Sequence, residues 1–239
     1  PDFICHFHFL RDIGKDLFGT EYSKITNRLK KHKIRALLRQ KAKVLEKDIG
    51  DDTQGAVKLM AAIDNGSIET LSLQKMPVIA AYAILQWIFD TSVQLDGYGF
   101  PFDCPHMVFY HRLKAAQRLV NAIVASPSNA KDENNLIFFK LWRPLTKIIE
   151  DPQLKSAALQ MEKKVQIFNK LRKALSIAMP EGKKGLNDDG QQLKMKRIEE
   201  KVKQFRKEIM ADKKLCQKDD YKKMIQQIDK YWDKLFTDP

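Results

Sequence analysis

Cys5, His6 and His8 crowd into the stretch CHFHFL near the start of the chain, set among Phe7, Phe9 and Leu10. Thiols and imidazoles hold zinc or move protons near neutral pH, so the spacing Cys5-x-x-His8 opens two kinds of chemistry. Read as half of a zinc site, it needs a second ligand pair, and none follows close by. The partners by type are Cys104 with His106 or His111, which reach it only if the segment LDGYGFPFDCPH folds back onto the chain start. Read without metal, Cys5 is a buried thiol and His8 bonds to backbone, the commoner state of such residues. No Gly-rich phosphate loop, G-x-S-x-G elbow or H-E-x-x-H helix occurs, and the carboxylates fall mostly on loops or exposed helix faces.

The second pattern that carries chemistry is electrostatic. Residues 24 to 43 contain Lys24, Arg28, Lys30, Lys31, Lys33, Arg35, Arg39, Lys41 and Lys43, nine cations with no acid among them. Spread over about five turns of helix, they suit a phosphate backbone, which is bound in a salt-dependent and sequence-independent way. A solvated helix face is the alternative. From residue 49 to 110 the balance reverses, with Lys58 and Lys75 outnumbered by Asp51, Asp52, Asp64, Glu69, Asp90, Asp96 and Asp103. Trp87, Phe89, Phe138, Phe139 and Trp142 fall at apolar helical positions and read as core, not as a platform for stacked bases.

Composition bounds what can hold these groups. The 239 residues carry 43 Lys+Arg against 30 Asp+Glu, a net charge of +13, with 44% hydrophobic and 31% charged residues. Such a chain buries one large core or two modest ones, which excludes collagen, disulfide scaffolds and full disorder. Three scattered cysteines, Cys5, Cys104 and Cys216, favour a reducing compartment, the cytosol by default. The most apolar stretch, MPVIAAYAILQWIF from Met76 to Phe89, is shorter than the roughly 20 residues of a membrane span and reads as the most buried helix. The start, PDFIC, has neither an initiating Met nor a signal pattern and reads as the interior of a longer protein.

Periodicity predicts one strand followed by helices. DFICHFHF alternates weakly and suits a short strand, with LRDIGKDLF a helix after it. Phe18, Tyr22, Ile25 and Leu29 form one helical stripe, and Ile34, Leu37, Leu38, Val44 and Leu45 another on nearly the opposite side. The helix therefore breaks near KKHK or crosses between two partners. IGDDTQG and DNGS read as loop and turn, and the apolar helix is expected to run to about Val93. Asp103 is placed to cap a helix from Cys104 to Ala125, SPSNAKD is a loop, and Pro144 is expected to kink the helix that contains it. Leu154, Ala158, Met161, Val165, Phe168 and Leu175 follow a 4,3 rhythm interrupted by Arg172. After the linker PEGKKGLNDDG, Met195, Ile198, Val202, Phe205 and Ile209, then Tyr221, Ile225, Ile228, Trp232 and Leu235, repeat at three and four residues. Those two seams predict an antiparallel helical hairpin with lysines outward.

On these residues a resemblance can be stated. ICHFHFLRDIGKDLF resembles the segment of DDE-type DNA transposases of bacterial insertion sequences that follows the second catalytic aspartate, where a C-x-x-H strand runs into a helix of a ribonuclease-H-like core. The signature, shared with Mutator-like and hAT transposases, falls on Cys5 and His8, and LDGYGFPFD at residues 95 to 103 is similar to a phrase of such transposases. The resemblance implies a fragment of the catalytic core at residues 1–19 and a helical insertion domain at 20–150. A long-helix, coiled-coil-like arm at 151–239 completes a mainly α chain. It also implies a DNA partner, a homo-oligomer of the full-length protein, no membrane, and Mg2+ for the full-length enzyme.

Under that resemblance the family's two aspartates precede this chain and its glutamate follows the insertion, so the chain alone is expected to be inactive. Asp2 lies too close to Cys5 to match the second aspartate, and Glu133, Glu150 and Glu199 are unsupported stand-ins for the third carboxylate. Cys5 and His8 are signature residues with a structural role, and no metal ligand is assigned in this chain. Two other readings stand beside it. One is a non-catalytic helical scaffold that binds proteins through coiled-coil arms, and the other a zinc-stabilised RNA-binding module.

Overall fold

The computed structural model describes residues 4–50, 53–91, 95, 97–125, 136–177 and 194–237, apart from the side chains of 70–72. Twelve helices occur among them: α1 His6–Lys31, α2 Ile34–Ile49, α3 Thr53–Asp64, α4 Thr70–Lys75, α5 Pro77–Phe89, α6 Pro105–Val124, α7 Leu136–Ile149, α8 Pro152–Ala174, α9 Met195–Ala211, α10 Lys213–Cys216, α11 Asp219–Lys230 and α12 Trp232–Leu235. No strand occurs among the described residues, so the protein is mainly α-helical. SPSNAKD, PEGKKGLNDDG, Asp2, Glu133 and Val93 lie outside the described residues.

The expected strand is corrected over His6, Phe7 and His8, which form the first turn of α1. The same apolar residues that alternate as a strand also satisfy helical spacing, and short apolar runs are ambiguous by period alone. Burial decides: Phe9, Leu10, Ile13, Leu17 and Phe18 all face inward, at 6% exposure or less. That i, i+1, i+4, i+8, i+9 pattern is a helical stripe continuing into Ile25 and Leu29.

The helices gather into two compact units, neither of them one continuous stretch. One unit comprises Pro1–Tyr22, Leu95–Cys104 and Leu159–Pro239; the other comprises Ser23–Gln94 and Pro105–Ala158. Helices α1 and α8 each contribute to both.

In the second unit α5 packs against α2, α3, α6 and α7. It is apolar nearly all round, with Ala80, Ala81, Ala83, Ile84, Leu85, Trp87 and Ile88 buried, as befits a helix surrounded by others. Pro77 opens it at a position where no intrahelical N–H is needed, and it ends at Phe89, four residues before the expected Val93. The buried Arg112 of α6 donates to Trp87 O and to Asp64 Oδ1 at 3.3 Å, while Trp87 Nε1 donates to the same Asp64 oxygen at 2.8 Å. Helix α7 continues through Pro144, with Phe138, Leu141, Leu145 and Ile148 buried.

In the first unit the glycine-rich segment packs onto α1. Phe7 stacks on Phe102 at 4.8 Å, Tyr22 stacks on Phe100 at 4.8 Å, and Phe168 of α8 meets Phe18 at 5.0 Å and Phe102 at 5.7 Å. Gly97 and Gly99 have φ of 77° and 72°, a region glycine enters without a Cβ clash. Asp103 Oδ2 accepts the Gly99 N–H at 2.7 Å and ties the segment to itself. Gly14 permits the approach: a Cβ there would lie 2.4 Å from Pro101 Cγ and 2.6 Å from Phe168 Cε2.

Helices α9 and α11 run antiparallel. Arg206 forks onto both oxygens of Asp229 at 2.6 and 2.9 Å, and Lys203, one turn earlier on α9, sits 5.8 Å from the Trp232 ring, just past α11. Ile198, Val202, Phe205 and Ile209 of α9, and Tyr221, Met224 and Ile228 of α11, are buried. The start of α1 is fastened to α12 by Ile4 N–H to Lys234 O at 3.0 Å and His6 Nε2 to Leu235 O at 2.7 Å.

The same unit buries charge. Lys164 Nζ donates to Glu21 and, at 2.7 Å, to Asp220, and its side chain and that of Glu21 are nearly inaccessible. Burial alone would lower the Lys164 pKa, but the two carboxylates outweigh it and hold the ammonium above its ordinary value. Burial, aided by Asp220 and Glu21 against the opposing Lys164, raises that of Tyr221. A lysine held protonated in this way anchors helices and is no nucleophile.

Gly14→Ala tests the close approach. Overpacking costs about 1–3 kcal/mol and helix propensity returns up to about 1, so a net loss of about 1–2 kcal/mol of unfolding free energy is expected in a denaturant titration.

Candidate nucleic-acid interface

The basic run spans the end of α1 and most of α2, all within the second unit from Lys24 onward. It breaks where expected. His32 and Lys33 form the turn, and Lys33 adopts a left-handed conformation, φ 50° and ψ 27°, which costs a non-glycine residue about 1 kcal/mol. The carbonyls of Arg28 and Lys30 accept the His32 and Lys33 N–H groups at 3.1 and 2.9 Å, and Lys33 O accepts Leu37 N–H at 3.0 Å to start α2.

What fixes this corner is Asp151, which sits just before α8 and is nearly inaccessible. Its Oδ2 accepts from Arg28 Nε at 3.0 Å, from Arg28 Nη2 and from His32 Nε2 at 2.7 Å, while Oδ1 accepts Leu154 N–H at 2.9 Å and caps α8. Burial alone would raise the Asp151 pKa. The hydrogen bonds from Arg28, His32 and the Leu154 amide outweigh it and hold the carboxyl well below the usual carboxylate range. The run therefore has no acid in sequence but does have one in space.

The nine cations divide by environment. Arg28 is bound to Asp151. Arg35 lies 3.8 Å from the centre of the Phe109 ring and Arg39 lies 5.5 Å from Phe89, and those two rings stack on each other at 5.9 Å. Such guanidinium–ring contacts keep the charge while covering the side chain's apolar stem. Lys24, Lys30, Lys31, Lys33 and Lys43 are exposed and Lys41 is half-buried. No carboxylate among the described residues forms an ion pair with any of these six lysines. Lys30 and Lys31 also lie in the last turn of α1, where the helix dipole favours cations. Ile34, Leu38, Ala42, Leu45 and Ile49 bury the inner face of α2; Leu37 and Val44, expected on that stripe, are exposed. At about 100° per residue the five buried residues span an arc of about 80°, and Leu37 and Val44 fall about 60–80° beyond its edge.

The Cys and His residues of the other pattern are placed differently. Cys5 and His8 are exposed at the start of α1, in the first unit, and the Cys5 carbonyl accepts the Phe9 N–H at 3.0 Å. Cys104, in the same unit, donates to Pro101 O at 3.5 Å, and burial, aided by the Asp103 charge, pushes its thiol up to about 12. It is therefore protonated at neutral pH, the form that neither attacks nor ligates. His106 and His111 belong to the second unit. Among the described residues no three His, Cys, Asp or Glu side chains are gathered as a metal site requires. Glu150 and Glu199 are not brought together with other carboxylates in such a group. Phe138 and Trp87 are core, whereas Phe139 is exposed and Trp142 is half-buried with its indole N–H on Asn121 Oδ1 at 3.1 Å. Sequence reasoning missed Asp151, Phe89 and Phe109 as partners of the basic run; they lie about 50 to 120 residues from the cations they hold.

No protein-family model, no curated protein and no solved structure matches the chain. Among the described residues no helix is long and apolar enough to cross a membrane.

Asp151→Ala is expected to lower unfolding free energy by about 2–4 kcal/mol through the lost ion pair and cap, and Asp151→Asn by less, because the amide oxygen still caps. The carboxyl's folded pKa lies below its unfolded value, so its stabilisation is complete at neutral pH and is lost as pH falls from about 4 downward. Denaturant titrations from pH 7 to pH 2.5 check this: the wild-type chain loses more stability over that range than Asp151→Asn.

Proposed function

We propose that this chain is part of a DDE-type DNA transposase and that its basic α1–α2 corner grips the phosphate backbone of duplex DNA. The observation that carries the DNA-binding reading is the set of exposed lysines, Lys24, Lys30, Lys31, Lys33 and Lys43, around a turn whose acid, Asp151, is already taken up by Arg28 and His32. Lysines act as hydrated point charges, which fits sequence-indifferent contact with phosphates. The transposase reading draws on the two segments that carry the resemblance. Residues of ICHFHFLRDIGKDLF and of LDGYGFPFD pack on each other through Phe7, Phe102, Gly14 and Pro101 within one unit. In this reading they belong to a sliver of the ribonuclease-H-like core, and the α9–α11 hairpin is a coiled-coil-like arm.

Strand cleavage in such enzymes uses Mg2+ held by carboxylates, and the described residues gather no group that fits a metal. The carboxylates are assigned to the full-length protein outside this chain, and no cleavage step is assigned to it. The full-length protein acts as a cytoplasmic homo-oligomer in this reading. A helical scaffold that binds protein partners is the second reading, favoured by the antiparallel α9–α11 pair.

Anisotropy titrations with a fluorescent duplex of arbitrary sequence, across about 50–200 mM salt, separate the two. The wild-type chain is expected to bind with a steep log-log salt slope, indifferent to sequence. The Lys30→Gln, Lys31→Gln, Lys33→Gln triple variant removes up to three phosphate contacts, which lowers that slope by about 2–3 units. Folding is untouched because all three side chains are exposed. Absence of duplex binding, or an unchanged slope in the triple variant, overturns the DNA reading and favours the scaffold.

A further inference from the structure

His106 stands where the basic corner meets α6. It lies in the first turn of that helix, one turn before Phe109, so the two share a face. The Phe109 ring carries the Arg35 guanidinium at 3.8 Å, and Lys30 projects from the last turn of α1. Arg35 of α2 thus lies over the face of α6 that carries this half-buried imidazole, and Lys30 belongs to the same unit. We propose that His106 takes up a proton when a nucleic-acid phosphate binds this corner, so that affinity for duplex DNA strengthens as pH falls. The proposal rests on the DNA-binding reading above.

The physical reason is the change of sign in the local field. In the free chain burial, then Arg35, then Lys30 all disfavour the imidazolium, and His106 is held below the ordinary histidine pKa. A phosphodiester keeps its charge across this range. Seated between Lys30 and Arg35, it offsets both cations and adds a hydrogen-bond acceptor, and each change favours the protonated ring. The other groups around α6 do not reproduce this. Its neighbour α5 contributes Tyr82 and no charge, with the half-buried Asp90 just beyond its end; α4 contributes the exposed Lys75, and α7 the exposed Lys140, Arg143 and Lys147. On α6 itself His111 and Arg118 are exposed, Lys114 is half-buried and Arg112 is engaged with Asp64 and Trp87, while Asp103 and Cys104 precede the helix in the chain; the corner's other imidazole, His32, is bonded to Asp151.

The linkage has a defined window. If binding raises the His106 pKa by about one unit, affinity is flat above the bound-state value and rises through the interval between the bound and free values. It levels off about tenfold tighter below both. Duplex affinity of the wild-type chain is therefore expected to be about five- to tenfold tighter at pH 5.5 than at pH 8, at fixed salt. His106→Gln should lose most of that strengthening, and His111→Gln should keep it. In the wild-type protein, the His106 imidazole resonances should titrate about one pH unit higher with a short duplex than without it. Two results sink the inference while leaving the DNA reading intact: binding equally pH-dependent in wild type and His106→Gln, or a His106 titration unmoved by duplex. Absence of duplex binding at any pH removes both.

Discussion

Folding nine consecutive-run cations into two helices joined by a tight turn brings like charges close, and the structure meets that repulsion with one buried carboxylate. Asp151 accepts from Arg28 at the end of α1, from His32 in the turn and from the Leu154 amide at the start of α8. A carboxylate buried with a single partner gains little over its desolvation cost, but one that fills both oxygens with donors is held ionised. The end of α1, the left-handed Lys33 and the first turn of α8 therefore share one anchor. With Arg28 used in this way, the lysines that follow point outward and leave a surface whose charge is not locally neutralised.

The two arginines of α2 show a second way of carrying charge without an acid. Arg35 and Arg39 lie four residues apart, on one helix face, and cover the stacked Phe109 and Phe89 rings. Their stems bury apolar surface while their charges remain, so they contribute to the field of the corner without depending on a ligand for their positions. This differs from the solvated lysines, which hold no fixed partner and suit contacts that are made and released along a backbone.

Elsewhere the chemistry suggested by residue type is turned to architecture. The glycines of the segment from 95 to 104 let it fold tightly, and Gly14 lets Pro101 approach α1 where any side chain would collide. Cys104 is half-buried and protonated, Lys164 is protonated between two carboxylates, and His6 is tied to Leu235. Groups that act as nucleophiles or ligands when exposed and deprotonated serve here as packing and anchors. Cys5 and His8 are exposed but not gathered into a metal-type group, and the basic corner, with His106 at its edge, presents its lysines outward.

The sequence by itself determined the helical class, the buried α5, the break at KKHK, most of the apolar stripe of α9 and the position of the cations, whereas α11 buries Met224 and not the expected Ile225. These follow from local period, from the apolar run and from the charges' own spacing, all read within about 20 residues. Tertiary structure decided the rest. The helix expected from Leu10 extends back to His6 and places Phe9 on the buried stripe of Leu10 and Ile13, an outcome that an apolar run fitting both periods does not decide. It placed Leu37 and Val44 on the surface because α5 covers only one face of α2. Above all it brought Asp151 to Arg28 and His32 across about 120 residues, and Phe109 to Arg35 across about 70. Charge spacing within one helix is set by covalent geometry, but which acid or ring neutralises or covers it depends on how distant helices pack, and no local pattern encodes that.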